Sequence, residues 1–323
     1  MSDPMTDILT VENLKTYFTV GDSVVKAVDG VSFSVREGEI LGVVGESGCG
    51  KSTLGRTLLR LEDKAGGAVR FHDTDPFELN AQELKDFRRR TAMVFQDPSS
   101  SLNPRKRVDA LLGQALRVHG IGTPAERNRK VQDILRETGI SPEYRNRYPH
   151  QFSGGQKQRI GVARALMLDP ELVVLDEAVS ALDVSIQAQI INLLLDLKEE
   201  RNLTYVFISH DLSVVEFVSD RIIVMYLGRI VEAAPKRTIM EKPLHPYTQA
   251  LIGAFPSTEM KDRGKGIKAI EGDVPSPINP PKGCHFAPRC PFATDKCRAH
   301  YPPVTTTEEG HTVACWLHTP EGA

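Results

Sequence analysis

Gly45-Glu46-Ser47-Gly48-Cys49-Gly50-Lys51-Ser52-Thr53 is the stretch that most restricts what this chain can fold into. It fits G-x-x-x-x-G-K-[ST] and follows the apolar run Ile40–Val44, with a helical pattern over residues 52 to about 61 after it. Glycines let such a backbone curl so that its N–H groups turn inward around phosphate oxygens. The helix that follows adds its positive N-terminal end. Lys51 is then placed to reach the β- and γ-phosphates, and Ser52 to ligate Mg²⁺. The plain alternative is a glycine turn that binds nothing. The filled fixed positions and the strand-to-helix context count against it. Cys49 fills a free position of the pattern and reads as a bystander.

Other segments follow the same logic. Strand-like runs alternate with helical ones, which indicates an α/β core with a parallel sheet. LVVLDE (172–177) puts Asp176 and Glu177 at the C-terminal end of a buried strand, the edge where open α/β sheets bind ligands. Asp176 is placed to hold Mg²⁺ through its water shell, and Glu177 to polarise an attacking water. Gln96 follows a short apolar strand in VFQDP, and His210 ends the strand-like run 204–210. A helix is expected over about 185–200 and a hairpin around Leu227 and Gly228. The turn Phe152-Ser153-Gly154-Gly155-Gln156 opens an amphipathic helix and offers a second anion-binding helix end. One chain needs only one phosphate cradle, so the second suggests a nucleotide held by another subunit.

Composition narrows the partners. At 323 residues the chain has room for about two domains of ordinary size. Its 40 Lys+Arg against 42 Asp+Glu leave a net charge of −2, which argues against nucleic acid as a partner. The runs Arg88-Arg89-Arg90 and Arg105-Lys106-Arg107 read as solvated faces. No apolar stretch approaches 18 residues, and the acidic N-terminus lacks the pattern of a signal peptide. A cytoplasmic location is therefore expected, where five cysteines are poor candidates for disulfides.

The phosphate loop, Gln96, FSGGQ, LDE, SALD (180–183) and His210 occur in an order that resembles the ATPase subunit of ABC transporters, over roughly residues 8–235. The resemblance implies a RecA-like phosphate-loop ATPase core with an antiparallel β-subdomain and an inserted helical subdomain over about 97–165. It makes Gln96 a lid glutamine that contacts Mg²⁺ and water, and Glu177 the catalytic carboxylate. His210 would contact the γ-phosphate of its own chain. The Ser153-Gly154-Gly155-Gln156 turn would grip, chiefly through Ser153 and Gly155, the γ-phosphate on a partner's loop. Asp183 would lie at the dimer seam. An aromatic residue upstream of the loop would stack on adenine; Phe18 is preferred to Tyr17 from its spacing. The family usually has proline where this chain has Ala178, so a modest loosening of Glu177 is expected.

Twelve of the 21 prolines lie beyond residue 240, marking 236–323 as a separate, loop-rich extension. HPYTQALIGAFP (245–256) and EGDVPSPINPPKGCHFAPRCPFATDKC resemble the C-terminal extension of dipeptide and oligopeptide importers, which nickel importers share. That resemblance implies a subunit that hydrolyses ATP to power peptide import from the cytoplasmic face of the inner membrane. It also implies a second, homologous ATPase chain, two permease subunits and an extracytoplasmic binding protein. Cys284, Cys290, Cys297 and Cys315 are separated by gaps of five, six and seventeen residues. Four thiolates can hold zinc or an iron–sulfur cluster, and this spacing favours neither. The resemblance implies a four-iron cluster, and His285, His300, His311 and His318 keep zinc as the alternative. Rival readings are a soluble ABC protein of translation or DNA repair, an exporter subunit and a small-molecule kinase. The single cassette disfavours the first, the tail the second, and FSGGQ the third.

Overall fold

The computed structural model describes residues 6–97, 101–180, 182–254, 272, 275–278, 280–307 and 310–319. Two long strands, β1 (Asp7–Val20) and β2 (Ser23–Arg36), lead to β3 (Ile40–Val44), and the glycine loop joins β3 to helix α1 (Lys51–Leu58). There follow β4 (Gly66–Phe71), α2 (Ala81–Arg90), β5 (Thr91–Val94), α3 (Val108–Val118), α4 (Pro124–Glu137) and α5 (Gly154–Leu166). Next come β6 (Leu172–Asp176), α6 (Val184–Arg201), β7 (Thr204–Ile208), α7 (Leu212–Val218) and the hairpin β8 (Arg221–Tyr226) and β9 (Arg229–Pro235). The tail holds α8 (Lys236–Glu241), α9 (Pro246–Gly253), α10 (Asp295–Ala299) and the short strands β10 (Thr305–Thr306) and β11 (Thr312–Val313).

The chain divides into two compact units, each assembled from separate segments. The first takes Met1–Leu9, Val35–Glu39 and Arg70–Ile208. Its strands run parallel in the order β7-β6-β5. Every residue of β6 and β7 is buried, which is why both read as unbroken apolar runs rather than alternating ones. Helices α3, α4 and α5 pack together within the segment expected to be helical. A capping box closes the start of α4: Thr123 accepts from the Glu126 N–H, Glu126 accepts from the Thr123 N–H, and Pro124 opens the helix.

The second unit takes Thr10–Ser34, Ile40–Val69 and Ser209–Ala323. β3 and β8 pair in parallel, β9 returns antiparallel to β8, and β11 and then β10 extend the sheet beyond β9. Leu227 and Gly228 take φ of 42° and 79°, the left-handed pair that a two-residue hairpin turn needs. Most of the three-stranded sheet β2-β1-β4 also belongs to this unit.

Three local expectations shift. Helix α1 stops at Leu58 because Arg60 turns to φ 50°, and the strand expected over 204–210 ends at Ile208. The tail is loop-rich as expected, but it is tied to β9 rather than set apart. β11 pairs with β9 at Thr312↔Ala233 and Val313↔Glu232. Glu232, fully buried, accepts from the Leu244 N–H at 2.7 Å, from the His245 N–H at 2.9 Å, and meets His311 Nε2 at 2.6 Å. A carboxylate in that position is tolerable only because its lone pairs are filled.

Candidate functional site

In the second unit, β3 delivers the chain into the loop. Gly50 holds φ 104°, and a Cβ there would lie 2.0 Å from the Ala27 carbonyl oxygen. At Gly45 a Cβ would lie 2.2 Å from the Met225 carbonyl oxygen. These two glycines are thus fixed by close backbone approach as well as by curvature. Gly50 is also the N-cap of α1, and no side chain caps that helix, whose leading N–H groups are the donors an anion takes. Lys51, 4% exposed, folds back so that its ammonium donates to the carbonyls of Gly45 (2.8 Å) and Glu46 (3.0 Å). Ser47 and Gly48 are exposed, while Ser52 and Thr53 are half-buried. Cys49 is a structural member of the loop. It is buried, its carbonyl accepts from the Gly228 N–H at 2.9 Å, and burial raises its thiol pKa.

Two contacts on this loop have no signal in local sequence. The Glu46 N–H donates to Tyr247 Oη at 2.9 Å, and the Glu46 carboxylate takes both terminal nitrogens of Arg289, at 2.7 and 3.1 Å. The hydrogen bonds that Arg289 donates to Glu46 lift its pKa above the ordinary value. Tyr247 lies inside the HPY segment that marked the tail, so that motif could have drawn attention to it. Arg289 had no such marker.

In the first unit, Gln96 and Glu177 meet beyond the C-terminal ends of β5 and β6. Gln96 Nε2 donates to Glu177 Oε2 at 2.8 Å, which leaves the amide oxygen as the acceptor end of Gln96. Asp176, 2% exposed, ends β6. Glu177 adopts φ 47°; its N–H donates to the Ile208 carbonyl at 3.0 Å, and its own carbonyl accepts from the Ser180 N–H and Oγ. Glu177 is therefore held at backbone and side chain alike. Ala178 itself is buried.

Ser153 caps α5. Its Oγ accepts from the Gln156 N–H at 3.3 Å, while Gln156 Oε1 accepts from the Ser153 N–H at 3.0 Å. A serine hydroxyl engaged this way keeps its own proton to donate. Ser153 and Gly154 are exposed. A Cβ on Gly155 would lie 2.6 Å from Ile186 Cγ2, so the start of α5 packs against α6 without room for a side chain. Asp183 precedes α6 and is exposed. Ala181 of the SALD segment lies outside the described residues.

His210, in the second unit, is exposed in the turn before α7. The two candidate aromatics separate clearly. Tyr17 donates to Asp29 Oδ1 at 2.5 Å, and burial together with that bond pushes its pKa up to about 12. Arg229 holds Asp29 from the other side at 2.7 Å. Tyr17 is thereby engaged in structure, and Phe18 lies half-buried on β1.

Cys284, Cys290, Cys297 and Cys315 line one small cavity together with Phe286 and Trp316. Burial pushes the thiols of Cys284 and Cys315 up to about 11. Among the described residues, no group of three or more Cys, His, Asp or Glu side chains is placed to hold a metal ion. The four cysteines thus gather at one place, and nothing among the described residues supports the expected four-iron cluster or zinc there. Some members of the basic runs have surface partners. Arg90 meets Glu171, Arg107 meets Asp109, and Lys106 donates to Gln114. No helix among the described residues is long and apolar enough to cross a membrane.

Similarity to known proteins identifies the family. The family described as ABC transporter matches residues 28–180, and the oligopeptide/dipeptide transporter C-terminal region matches residues 231–297. The oligopeptide transport ATP-binding protein AppF of Bacillus subtilis is 50% identical, covering 97% of this chain and 98% of that protein. A probable peptide ABC transporter ATP-binding protein of Sinorhizobium fredii is 51% identical over 95% of this chain and 87% of its own length. Among solved structures, the ATP-binding cassette MJ0796 in a dimeric post-hydrolysis state bound to ADP and Pi superposes with a TM-score of 0.65. It is 29% identical and covers 71% of this chain and 99% of its own.

Proposed function

Because this chain belongs to the ATP-binding subunits of peptide ABC transporters, we propose that it hydrolyses ATP to power import of di- or oligopeptides. The carrying observation is the Gln96–Glu177 hydrogen bond at 2.8 Å, which joins the lid glutamine to the carboxylate that activates water. Lys51 offsets charge on the β- and γ-phosphates, and Phe18 packs against the adenine. Ser52, Asp176 and Gln96 offer hydroxyl, carboxylate and amide oxygens, hard donors that suit Mg²⁺. When bound, that ion neutralises charge developing on the transferring phosphoryl group. Glu177 orients the attacking water and takes its proton, and His210 steadies the γ-phosphate.

A second ATPase chain of similar sequence completes each site with its Ser153-Gly154-Gly155-Gln156 turn, and Asp183 lies at the seam. Two permease subunits and an extracytoplasmic binding protein complete the importer, and this chain docks peripherally on the cytoplasmic face. A metal centre on Cys284, Cys290, Cys297 and Cys315 rests on family resemblance, and iron and zinc analysis of the purified protein tests it. Uptake of labelled peptides by proteoliposomes holding the whole assembly tests the import reading. ATP-dependent accumulation of peptide is expected; uptake of nickel without peptide would move the assignment to the nickel branch.

A further inference from the structure

Every polar group of Glu46 is engaged. Its N–H donates to Tyr247 Oη at 2.9 Å, and its carboxylate is forked by Arg289 at 2.7 and 3.1 Å. Its carbonyl accepts from Lys51 Nζ at 3.0 Å and from the Cys49 N–H at 3.3 Å. Tyr247 and Arg289 come from the C-terminal extension, 201 and 243 residues further on, whereas Lys51 is the phosphate-binding lysine. Glu46 is therefore the joint between the extension and the lysine.

The partners are themselves immobilised. Tyr247 is fully buried, and the Arg289 side chain is 5% exposed. Phe286 lies edge-on to Tyr226 and tilted against Tyr247, each at 5.4 Å, and Arg289 also donates to Tyr226 Oη at 3.3 Å. A forked pair whose guanidinium is buried and whose carboxylate is part-buried fixes direction as well as charge, unlike a fully exposed bridge. Attachment of the tail does not require it. Glu232, the β9–β11 pairing and the aromatic cluster already supply that.

We infer that the extension is part of the nucleotide-binding apparatus. Arg289 and Tyr247 are positioning residues that hold Glu46 so that its carbonyl, with that of Gly45, stations the Lys51 ammonium for the phosphates. This builds on the ATP-binding reading above. It also links the loop to the cysteine-lined cavity, since Cys284 and Cys290 bracket the short turn Ala287–Arg289.

The test titrates a fluorescent ATP analogue with Mg²⁺ into the full chain and follows KM and kcat for ATP in parallel, with melting curves taken without nucleotide. Arg289→Ala is expected to weaken binding about tenfold, equivalent to about 1.4 kcal/mol. Arg289→Lys recovers part of that loss, because it keeps the charge and loses the fork. Tyr247→Phe weakens binding about threefold, as one lost hydrogen bond implies, with the chain still folded at the assay temperature by its melting curve. KM rises in each variant while kcat stays within about twofold, since binding rather than chemistry is affected. The double variant Glu46→Gln with Arg289→Ala is no weaker than the weaker single one. Wild-type affinity in both Tyr247→Phe and Arg289→Lys, or additive losses in the double variant, overturns the inference. Failure of the wild-type chain to bind the analogue overturns the ATP-binding reading itself, and the inference with it.

Discussion

Gln96 and Glu177 lie 81 positions apart, and so does each partner pair of the parallel β5–β6 ladder, from Thr91↔Leu172 to Val94↔Leu175. The hydrogen bond between the two side chains therefore continues the sheet register past the strand ends. The same offset relates Arg90 and Glu171 at the opposite end, where the guanidinium meets the carboxylate at 2.5 Å. Hydrogen-bonded backbone thus sets the spacing of the glutamine and the carboxylate. Gln96→Ala is expected to lower kcat about 10–100-fold by releasing Glu177. Arg90→Ala, which breaks an exposed pair worth at most about 1 kcal/mol, leaves hydrolysis unchanged in the same assay.

Ala178 stands where the family resemblance implies proline. Backbone bonds to Ile208 and Ser180 and the side-chain bond to Gln96 already hold Glu177. The φ restraint of proline has little left to contribute, so Ala178→Pro changes the hydrolysis rate less than about twofold. A large gain in kcat would show that freedom at this position limits the wild-type enzyme.

Gly50→Ala meets two penalties together. The backbone is left-handed at φ 104°, and the new methyl would lie 2.0 Å from the Ala27 carbonyl oxygen. Strain at such a site costs on the order of 1–3 kcal/mol before the clash is counted. Loss of nucleotide binding with a lowered melting temperature is the expected result, and retained binding would mean the loop can be rebuilt.

His245 and His285 make stability depend on acid. Burial, then the charge of His318, lowers the His245 pKa from 6.5 to about 3; burial, then Arg229, lowers that of His285 to about 4. Both are held neutral in the fold, where His245 Nδ1 accepts from the Tyr247 N–H at 3.0 Å. Below about pH 6.5 the unfolded chain binds these protons and the folded chain does not. Their contribution is therefore complete above about pH 6.5 and falls as pH drops toward 4, by about 1.4 kcal/mol per pH unit for each histidine. Denaturant melts at pH 7 and pH 5 measure it, and equal stability at the two values would contradict it.

Glu232→Ala removes the anchor of the tail and leaves His311 and two backbone N–H groups without their acceptor. A loss of about 3–5 kcal/mol is expected, as for other broken buried pairs. Limited proteolysis should then release the C-terminal extension first.

The parts legible in the sequence were those written locally. The phosphate loop, the apolar strands β3, β6 and β7, and the Leu227-Gly228 turn all carry their cause within a few residues. The order of Gln96, FSGGQ, LDE and His210 identified the cassette. Three features were not legible, each for a physical reason. Glu177 becomes left-handed because Ile208 and Ser180 capture its backbone, which requires the sheet to exist. Glu46 is joined to Arg289 across 243 residues, and nothing in its own neighbourhood signals a partner. Cys284, Cys290, Cys297 and Cys315 line one cavity although five, six and seventeen residues separate them, and that meeting exists only once the tail has folded.

Steady-state ATP hydrolysis by the full chain carrying Glu177→Gln, with bound nucleotide and oligomeric state read by gel filtration, bears most directly on the proposed catalytic role. A fall of about 100-fold or more is predicted, as for loss of a general base, with ATP retained in a stable dimer. Hydrolysis at the wild-type rate would contradict it.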